Sequence, residues 1–241
     1  MIKEIIIPRF LNPKSIGDLN QQISKAEQEN VRFVILKGNG TSFCEGLDIK
    51  WVAENDSSTF KKDINEFSIF LKRLSGGMPS AQTGKFISIA VIDGAVSGGG
   101  MGIVCACDHV IVSEKSTFSL PEGLLGLIPG TILPALLNRL TPNQIKKMFL
   151  TGAKYSSTNA LAWGLADEIA NDSDLEKSLT LAINSMKSCK IDSIGDFKNL
   201  VYNSNLKKED VSQAGMDLLL SKLEDPEIRE RLINLAEFME D

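Results

Sequence analysis

Apolar residues follow two rhythms along this chain. In its first half, short β-branched and aliphatic runs alternate with amphipathic stretches: EIII at 4–7, RFVILK at 32–37, FISIAVI at 86–92 and HVIVS at 109–113. Such runs, bounded by glycine or polar clusters, predict strands, and near-continuous apolarity predicts strands covered on both faces. TFSL at 117–120 predicts a further strand. Ile16, Leu19, Ile23 and Ala26 recur at helical spacing after Asn12-Pro13, a cap residue followed by a first-turn proline. Phe60, Ile64, Phe67, Leu71 and Leu74 form a second helical stripe, read as core, and the polar stretch 53–63 is expected to be a mobile loop. Gly76-Gly77 and Pro79 then break the chain.

Beyond residue 123 the rhythm becomes helical. Thr141-Pro142 opens NQIKKMFL, Ser156 or Ser157 caps STNALAW, and Gly164 is placed to close that helix in the left-handed conformation. ADEIA at 166–170 predicts a short strand, and the chain from 172 onward is mostly helical. There is no internal repeat and no low-complexity linker. Strands alternating with helices and then giving way to helices predict an α/β fold, with a core over 1–190 and a helical region over 191–241.

Composition narrows the function classes. The 241 residues suffice for one domain with a real core, or one domain and a small appendage. A net charge of -5 is a poor basis for binding nucleic acid, which needs clustered lysine and arginine. No apolar run is long enough to span a bilayer, and MIKEIIIPRF lacks the pattern of a secretory leader, so no membrane partner and a cytoplasmic location are expected. Of Cys44, Cys105, Cys107 and Cys189, Cys105 and Cys107 form a C-x-C in an apolar stretch with no second pair, not zinc-site spacing, and are read as reduced, buried thiols; no metal is expected. His109 is the only histidine, which weakens any Ser-His-Asp or Cys-His scheme, and it is read as structural.

Three stretches could carry chemistry. Phe43–Asp48 is a glycine-containing loop after a buried strand, where sites collect in α/β folds; an ordinary turn is the alternative. Ser97-Gly98-Gly99-Gly100-Met101-Gly102 lets another group approach the backbone and leaves helix N-terminal N–H groups free to hold an anion. Its spacing matches neither a dinucleotide fingerprint nor a phosphate loop, and tight packing is its alternative. Pro121-Glu122-Gly123 sets a carboxyl among apolar residues; burial would raise its pKa into the range useful for acid–base work, and a surface turn is the alternative.

Taken in order, FVILKGNGTSFCEGLD, ISIAVIDGAVSGGGMGIVCACDHVIVSEKSTFSLPEGLLGLIPG and FLTGAKYSSTNALAWGLADEIA resemble the crotonase, or enoyl-CoA hydratase/isomerase, superfamily. The tail DLLLSKLEDPEIRERLINL resembles its C-terminal helices. The resemblance implies a crotonase-like ββα spiral core with a C-terminal helical region that serves oligomerisation, as a trimer or dimer of trimers. It implies stabilisation of a thioester enolate by two backbone N–H groups, which fall at Leu47 and Gly99. It places the pantetheine arm near Cys44 and Gly46, with Gly98 and Gly100 flanking the second donor. The partner is then acyl-CoA or an acyl carrier protein, with no cofactor beyond that carrier.

The family's hydratases use two glutamates. The second falls at Glu122, but the position of the first is Gly102, which puts two-carboxylate hydration in doubt. One glutamate suits dehydration of a 3-hydroxyacyl thioester or Δ3,Δ2-enoyl isomerisation. LPEGLLGLIPGTILPALLNRL with the preceding Gly-Met-Gly resembles the dehydratases of polyketide β-branching, which act on 3-hydroxy-3-methylglutaryl groups on a carrier protein, and dehydration is the preferred reading. Decarboxylation, thioester hydrolysis and non-catalytic acyl-thioester binding remain alternatives. Asp48 is read as structural, Glu45 as facing the thioester arm or solvent, and Ser97 and Asp93 have no specific role. The chain departs from the family in having only EIII before its first helix, without the first hairpin strand.

Overall fold

The structure, a computed structural model, describes residues 1–55, 57–78, 84–204 and 208–238. Its architecture is α/β, organised as successive turns of a spiral that each add one strand to two separate sheets. The chain opens with β1 (Ile2–Ile7), α1 (Pro13–Gln28), β2 (Phe33–Gly38), β3 (Ser42–Cys44), α2 (Ile49–Glu54) and α3 (Ser57–Ser75). It continues through β4 (Ile87–Ile92), β5 (Ala95–Ser97), α4 (Gly99–Ala106), β6 (His109–Ser113) and β7 (Thr117–Ser119). A 3-10 turn at Pro121–Leu125 follows, then α5 (Leu133–Arg139), α6 (Pro142–Thr151), β8 (Tyr155–Ser156), α7 (Ser157–Trp163) and β9 (Glu168–Ala170). The remainder is helical: α8 (Leu175–Met186), α9 (Ile191–Ser204), α10 (Lys208–Glu224) and α11 (Pro226–Phe238).

The larger sheet has the order β1-β2-β4-β6-β9 and the smaller one β3-β5-β7-β8. All pairings in the larger sheet are parallel, with Val34 opposite Ser88 and Ala90 opposite Val110. The alternation of side chains along a strand explains why its central strands are apolar throughout. Val34, Leu36, Ala90, Ile92, Val110 and Val112 enter the main core, which α1, α3 and α4 cover. Phe33, Ile35, Ile87, Ile89, Val91 and Ile111 enter a second core with Leu175, Leu179 and Ala182 of α8. β1 lies at the sheet edge, with Ile5 and Ile7 buried and Ile2 and Ile6 exposed. It is the one strand before α1 among the described residues, and it begins two residues earlier than its apolar run suggested.

Local signals account for most element ends. Asn12, Thr141 and Ser156 each accept from the backbone N–H three residues on and complete a capping box. Ser156 is therefore the cap, while Ser157 sends its hydroxyl to the Glu114 carbonyl at 2.8 Å. Gly164 closes α7 with φ +76°. The expectation of a mobile loop over 53–63 is corrected: α2 ends at Glu54 and α3 begins at Ser57, and the buried side chains of Phe60 and Ile64 anchor the start of α3. Their stripe draws the charged residues between them into the helix. Pro79, read as a breaker, lies outside the described residues. β3, β5 and β8 were not expected.

The C-terminal helices fold back onto the same chain. α10 packs on α3 and α5, and α11 on α2 and the 3-10 turn. Phe60, Ile64, Leu127, Leu223, Ile228 and Leu232 form the core of this contact. No helix among the described residues is long and apolar enough to cross a membrane.

Candidate active site

The spiral brings two chain turns side by side. β3 and β5 pair in parallel, so the loops that leave them, Glu45-Gly46-Leu47 and Gly98-Gly99, emerge at the same end of the small sheet. Ser97 Oγ donates to the Glu45 carbonyl at 2.9 Å and ties the loops together. Gly46, at φ +91°, leaves no room for a side chain: a Cβ there would stand 3.0 Å from Gly99 N and 3.1 Å from the Ser97 carbonyl.

Leu47 sits in a short parallel bridge to Leu11. The two hydrogen bonds of that bridge run from Leu11 N–H to the Gly46 carbonyl at 2.7 Å and from Asp48 N–H to the Leu11 carbonyl at 2.9 Å. Peptide groups alternate along an extended segment, so the Leu47 N–H faces away from the bridge. Gly99 is the first residue of α4, where N–H groups have no acceptor inside the helix. Both residues line a cavity of about 270 Å³.

Glu122 enters this cavity from the 3-10 turn. Pro121 starts the turn and Gly126 ends it at φ +76°. Gly123 packs on Phe149 so closely that a Cβ would meet the Phe149 carbonyl at 2.8 Å, which fixes the turn against α6. The Glu122 carboxyl lies over the glycine loop: its Oε1 is 3.6 Å from the point where a Cβ would stand on Gly98. Its Oε2 is buried and has no hydrogen-bond partner. Burial pushes the carboxyl up to about 7, partly opposed by a hydrogen bond from its own backbone N–H. A surface-turn glutamate would have neither property.

The rest of the lining is overwhelmingly apolar: Phe10, Leu11, Ile64, Phe67, Leu125, Ile132 and, from the C-terminal helices, Leu219 all take part. Its ionisable members are Glu45, Asp63 and Glu122, with no lysine or arginine among the described residues of the lining. Arg9 reaches Glu45 at 2.8 Å from outside it. Burial also raises the pKa of Asp63, opposed by Lys62 and aided by Glu66.

The position of the missing carboxylate is closed by packing. A Cβ on Gly102 would meet Ile132 Cγ2 at 2.5 Å, Ile132 Cβ at 2.8 Å and Leu71 Cδ1 at 3.3 Å. Ile132 occupies the space that a longer residue at 102 would need, so the absence of the second glutamate is built into the core.

Other expected residues fall elsewhere. Cys44 and Gly100 are buried against each other, the Cys44 carbonyl standing where a side chain on Gly100 would begin, and neither lines the cavity. Gly46 packs against the backbone of Ser97, Gly98 and Gly99. Asp48 caps α2 through the Trp51 N–H at 3.2 Å, and Asp93 pairs with Lys115 at 3.0 Å. His109 faces Asp167 at 3.5 Å, away from the cavity. Cys105 and Cys107 are buried thiols, as expected, pushed up to about 12 by burial, whereas Cys189 is exposed. Thr131, Asp63 and Leu219 line the cavity without any motif having marked them.

The sequence model of the enoyl-CoA hydratase/isomerase family matches residues 10–240. The chain belongs to this family. Two curated members show the level of similarity. Carnitinyl-CoA dehydratase of Proteus mirabilis (strain HI4320) is 30% identical over 185 residues, covering 73% of this chain and 67% of that protein. Bacillaene synthase dehydratase PksH of Bacillus subtilis (strain 168) is 29% identical over 168 residues, covering 68% of this chain and 62% of PksH. The fold is that of solved family structures. An enoyl-CoA hydratase from Mycobacterium avium superposes with a TM-score of 0.80 at 24% identity, covering 95% of this chain and 86% of that one. One from Bacillus halodurans gives 0.81 at 18% identity, covering 95% of each chain. The crotonase architecture expected from the motifs is thus the one observed.

Proposed function

We propose that this family member dehydrates a 3-hydroxyacyl thioester, with Glu122 as its one acid–base group. The observation that carries the reading is the Glu122 carboxyl, its buried Oε2 unpartnered, in the cavity that Leu47 and Gly99, the two expected N–H donors, also line. In this reading those N–H groups hold the thioester carbonyl oxygen, and Glu122 removes the proton from C2. Negative charge then develops on the carbonyl oxygen, where preorganised donors of this kind contribute about 3–4 kcal/mol each to lowering the barrier. The enolate collapses to form the C2–C3 double bond and the C3–O bond breaks. The departing oxygen takes the proton from the Glu122 carboxyl and leaves as water, which restores the carboxylate. Atoms and charge balance without a metal or redox group. CoA or a phosphopantetheine carrier is the handle of the substrate.

A carboxyl titrating near 7 suits both halves of this cycle, since it accepts and returns a proton at neutral pH. Both curated relatives described above carry the name dehydratase, which supports elimination. Isomerisation is the second reading, because one carboxyl can also carry a proton from C2 to C4, and the closed position at Gly102 is compatible with it. The resemblance of LPEGLLGLIPGTILPALLNRL to the dehydratases of polyketide β-branching supports a finer version in which the acyl group is 3-hydroxy-3-methylglutaryl on a carrier protein. The lining favours a neutral acyl group instead, since its described residues offer no cation to a free carboxylate. A trimer or dimer of trimers belongs to the proposal, and the exposed Phe197, Leu200 and Val201 on α9 are apolar surface of the kind an interface covers.

The test is intact-mass detection of water loss from carrier-bound 3-hydroxyacyl groups, neutral and 3-hydroxy-3-methylglutaryl, beside a 3-enoyl-CoA isomerisation assay. Water loss that disappears in Glu122→Gln establishes dehydration. Double-bond migration without water loss replaces it with isomerisation.

A further inference from the structure

The family's hydratases set a second carboxylate opposite the one at Glu122, and here that position is closed by Ile132. The residue before Ile132 is Thr131. The residue is 7% exposed, its Oγ1 is buried, and that oxygen has no hydrogen-bond partner. Thr131 lines the same cavity as Glu122, Gly98 and Gly99. A hydroxyl left unpaired in an apolar wall costs free energy unless a ligand or water completes it. On its other side Thr131 borders a void of only about 10 Å³, barely the space of one water. The lining therefore holds two orphaned polar atoms, Glu122 Oε2 and Thr131 Oγ1, in largely apolar walls.

The geometry points to Thr131 as the group that binds the leaving hydroxyl at C3 of the substrate, in the role left open by Gly102; this rests on the dehydratase reading. One segment does both jobs. Ile132 closes the old carboxylate position, and Thr131 offers a neutral donor beside it. The Thr131 hydroxyl donates to the C3 oxygen and holds it for the proton that Glu122 returns. It supplies no proton of its own, so the balance of the elimination is unchanged. A neutral partner in this place also avoids setting a second charge against Glu122. Asp63, the other candidate in the lining, is only half-buried and keeps access to solvent. The substrate class implied is one with a hydroxyl at C3; acyl thioesters without it leave Thr131 unsatisfied.

The test uses the full chain with Thr131→Val, which keeps the shape and removes the hydroxyl, and Thr131→Ser, which keeps the hydroxyl, with Asp63→Asn alongside. Water loss is measured together with Glu122-dependent exchange of the C2 proton of a saturated acyl thioester, which has no C3 oxygen. Thr131→Val is expected to lower kcat for water loss by about tenfold or more, the scale of one lost hydrogen bond in a buried site. Exchange at C2 stays within about twofold, and Thr131→Ser stays near the wild type. A merely structural role for Thr131 would move both reactions together, and that result overturns the inference. Undiminished water loss in Thr131→Val, or loss in Asp63→Asn instead, overturns it while leaving the dehydratase reading standing. A wild-type protein that exchanges the C2 proton but eliminates no water removes the dehydratase reading and this role with it.

Discussion

Replacing Glu122 by glutamine tests the buried carboxyl by a route independent of any substrate. The Glu122 carboxyl is pushed from 4.5 up to about 7 by burial. Its folded form thus holds its proton more tightly than its unfolded form. Below 4.5 both states are protonated and the stability is fully present. As pH rises toward 7 the unfolded state ionises freely while the folded state resists, so stability falls across that window and levels off above it. The difference of about 2.5 pKa units, at about 1.4 kcal/mol each, corresponds to a total loss of about 3.5 kcal/mol, most of it between about pH 5 and pH 8. Glutamine cannot ionise, so Glu122→Gln should lose none of it. Urea unfolding of both proteins at equal concentration, at about pH 5 and pH 8, gives the double difference. Other titrating groups, such as Glu27 and His109, cancel because both proteins share them. The variant should be the more stable one at the upper pH, by about 2–3 kcal/mol relative to the gap at the lower pH. Parallel pH dependences in the two proteins would refute a desolvated Glu122, and with it the physical basis of its role.

In turnover, Glu122→Gln should lose at least about 100-fold while substrate binding stays nearly intact, as steady-state rates and equilibrium binding would report. With Glu122 as base, kcat/KM of the wild type should fall about tenfold per pH unit below about 7, and a flat profile there would contradict the assignment. Gly102→Ala should cost about 1–3 kcal/mol in denaturant unfolding because of the 2.5 Å approach to Ile132, and Ile132→Ala should recover part of that loss in the double variant. Ser97→Ala should cost about 1 kcal/mol of stability and lower kcat more than it raises KM, because the 2.9 Å bond from Ser97 to the Glu45 carbonyl aligns the two donor loops. A neutral 3-hydroxyacyl thioester should outperform its counterpart with a free carboxylate by about tenfold or more in kcat/KM, measured by water loss; the reverse order would favour the 3-hydroxy-3-methylglutaryl reading.

Most of the framework was legible because its signals are local or periodic. The large-sheet strands announce themselves by apolar runs, and α1, α6 and α7 by Asn12, Thr141 and Ser156 with helical stripes behind them. The three glycine- and carboxyl-bearing stretches were recognisable as sites only together, because each alone reads equally well as a turn. The polar stretch 53–63 misled: its composition suits a loop, but Phe60 and Ile64 bury against Leu127, Leu223 and Ile228 from far along the chain, and that contact keeps it helical. Cys44 and Gly100 were placed near the substrate by position in the motif, yet the tight spacing between them serves packing. Thr131 and Leu219 lie inside stretches that resemble the family, but nothing there marks them as lining residues, since a lone threonine or leucine becomes one only through what folds against it.

Gly102 and Ile132 show why the chemistry of such a site has to be read in pairs. A glycine at 102 seen alone is an absence, and it suggests a damaged hydratase. Packing makes it one half of an exchange, because Ile132 fills the volume and would clash with any side chain restored there. A glutamate at 102 would have to displace a buried isoleucine before it could reach the cavity, so regaining the second carboxylate needs at least two concerted changes. The same exchange removes a charge from beside Glu122. Two ionised carboxylates set against each other raise each other's pKa, whereas the causes acting on Glu122 are burial and, against it, the hydrogen bond from its own backbone N–H. Glu122 near 7 is therefore the state expected of a site that works with one proton-carrying group, which accepts the C2 proton and returns it within a single cycle.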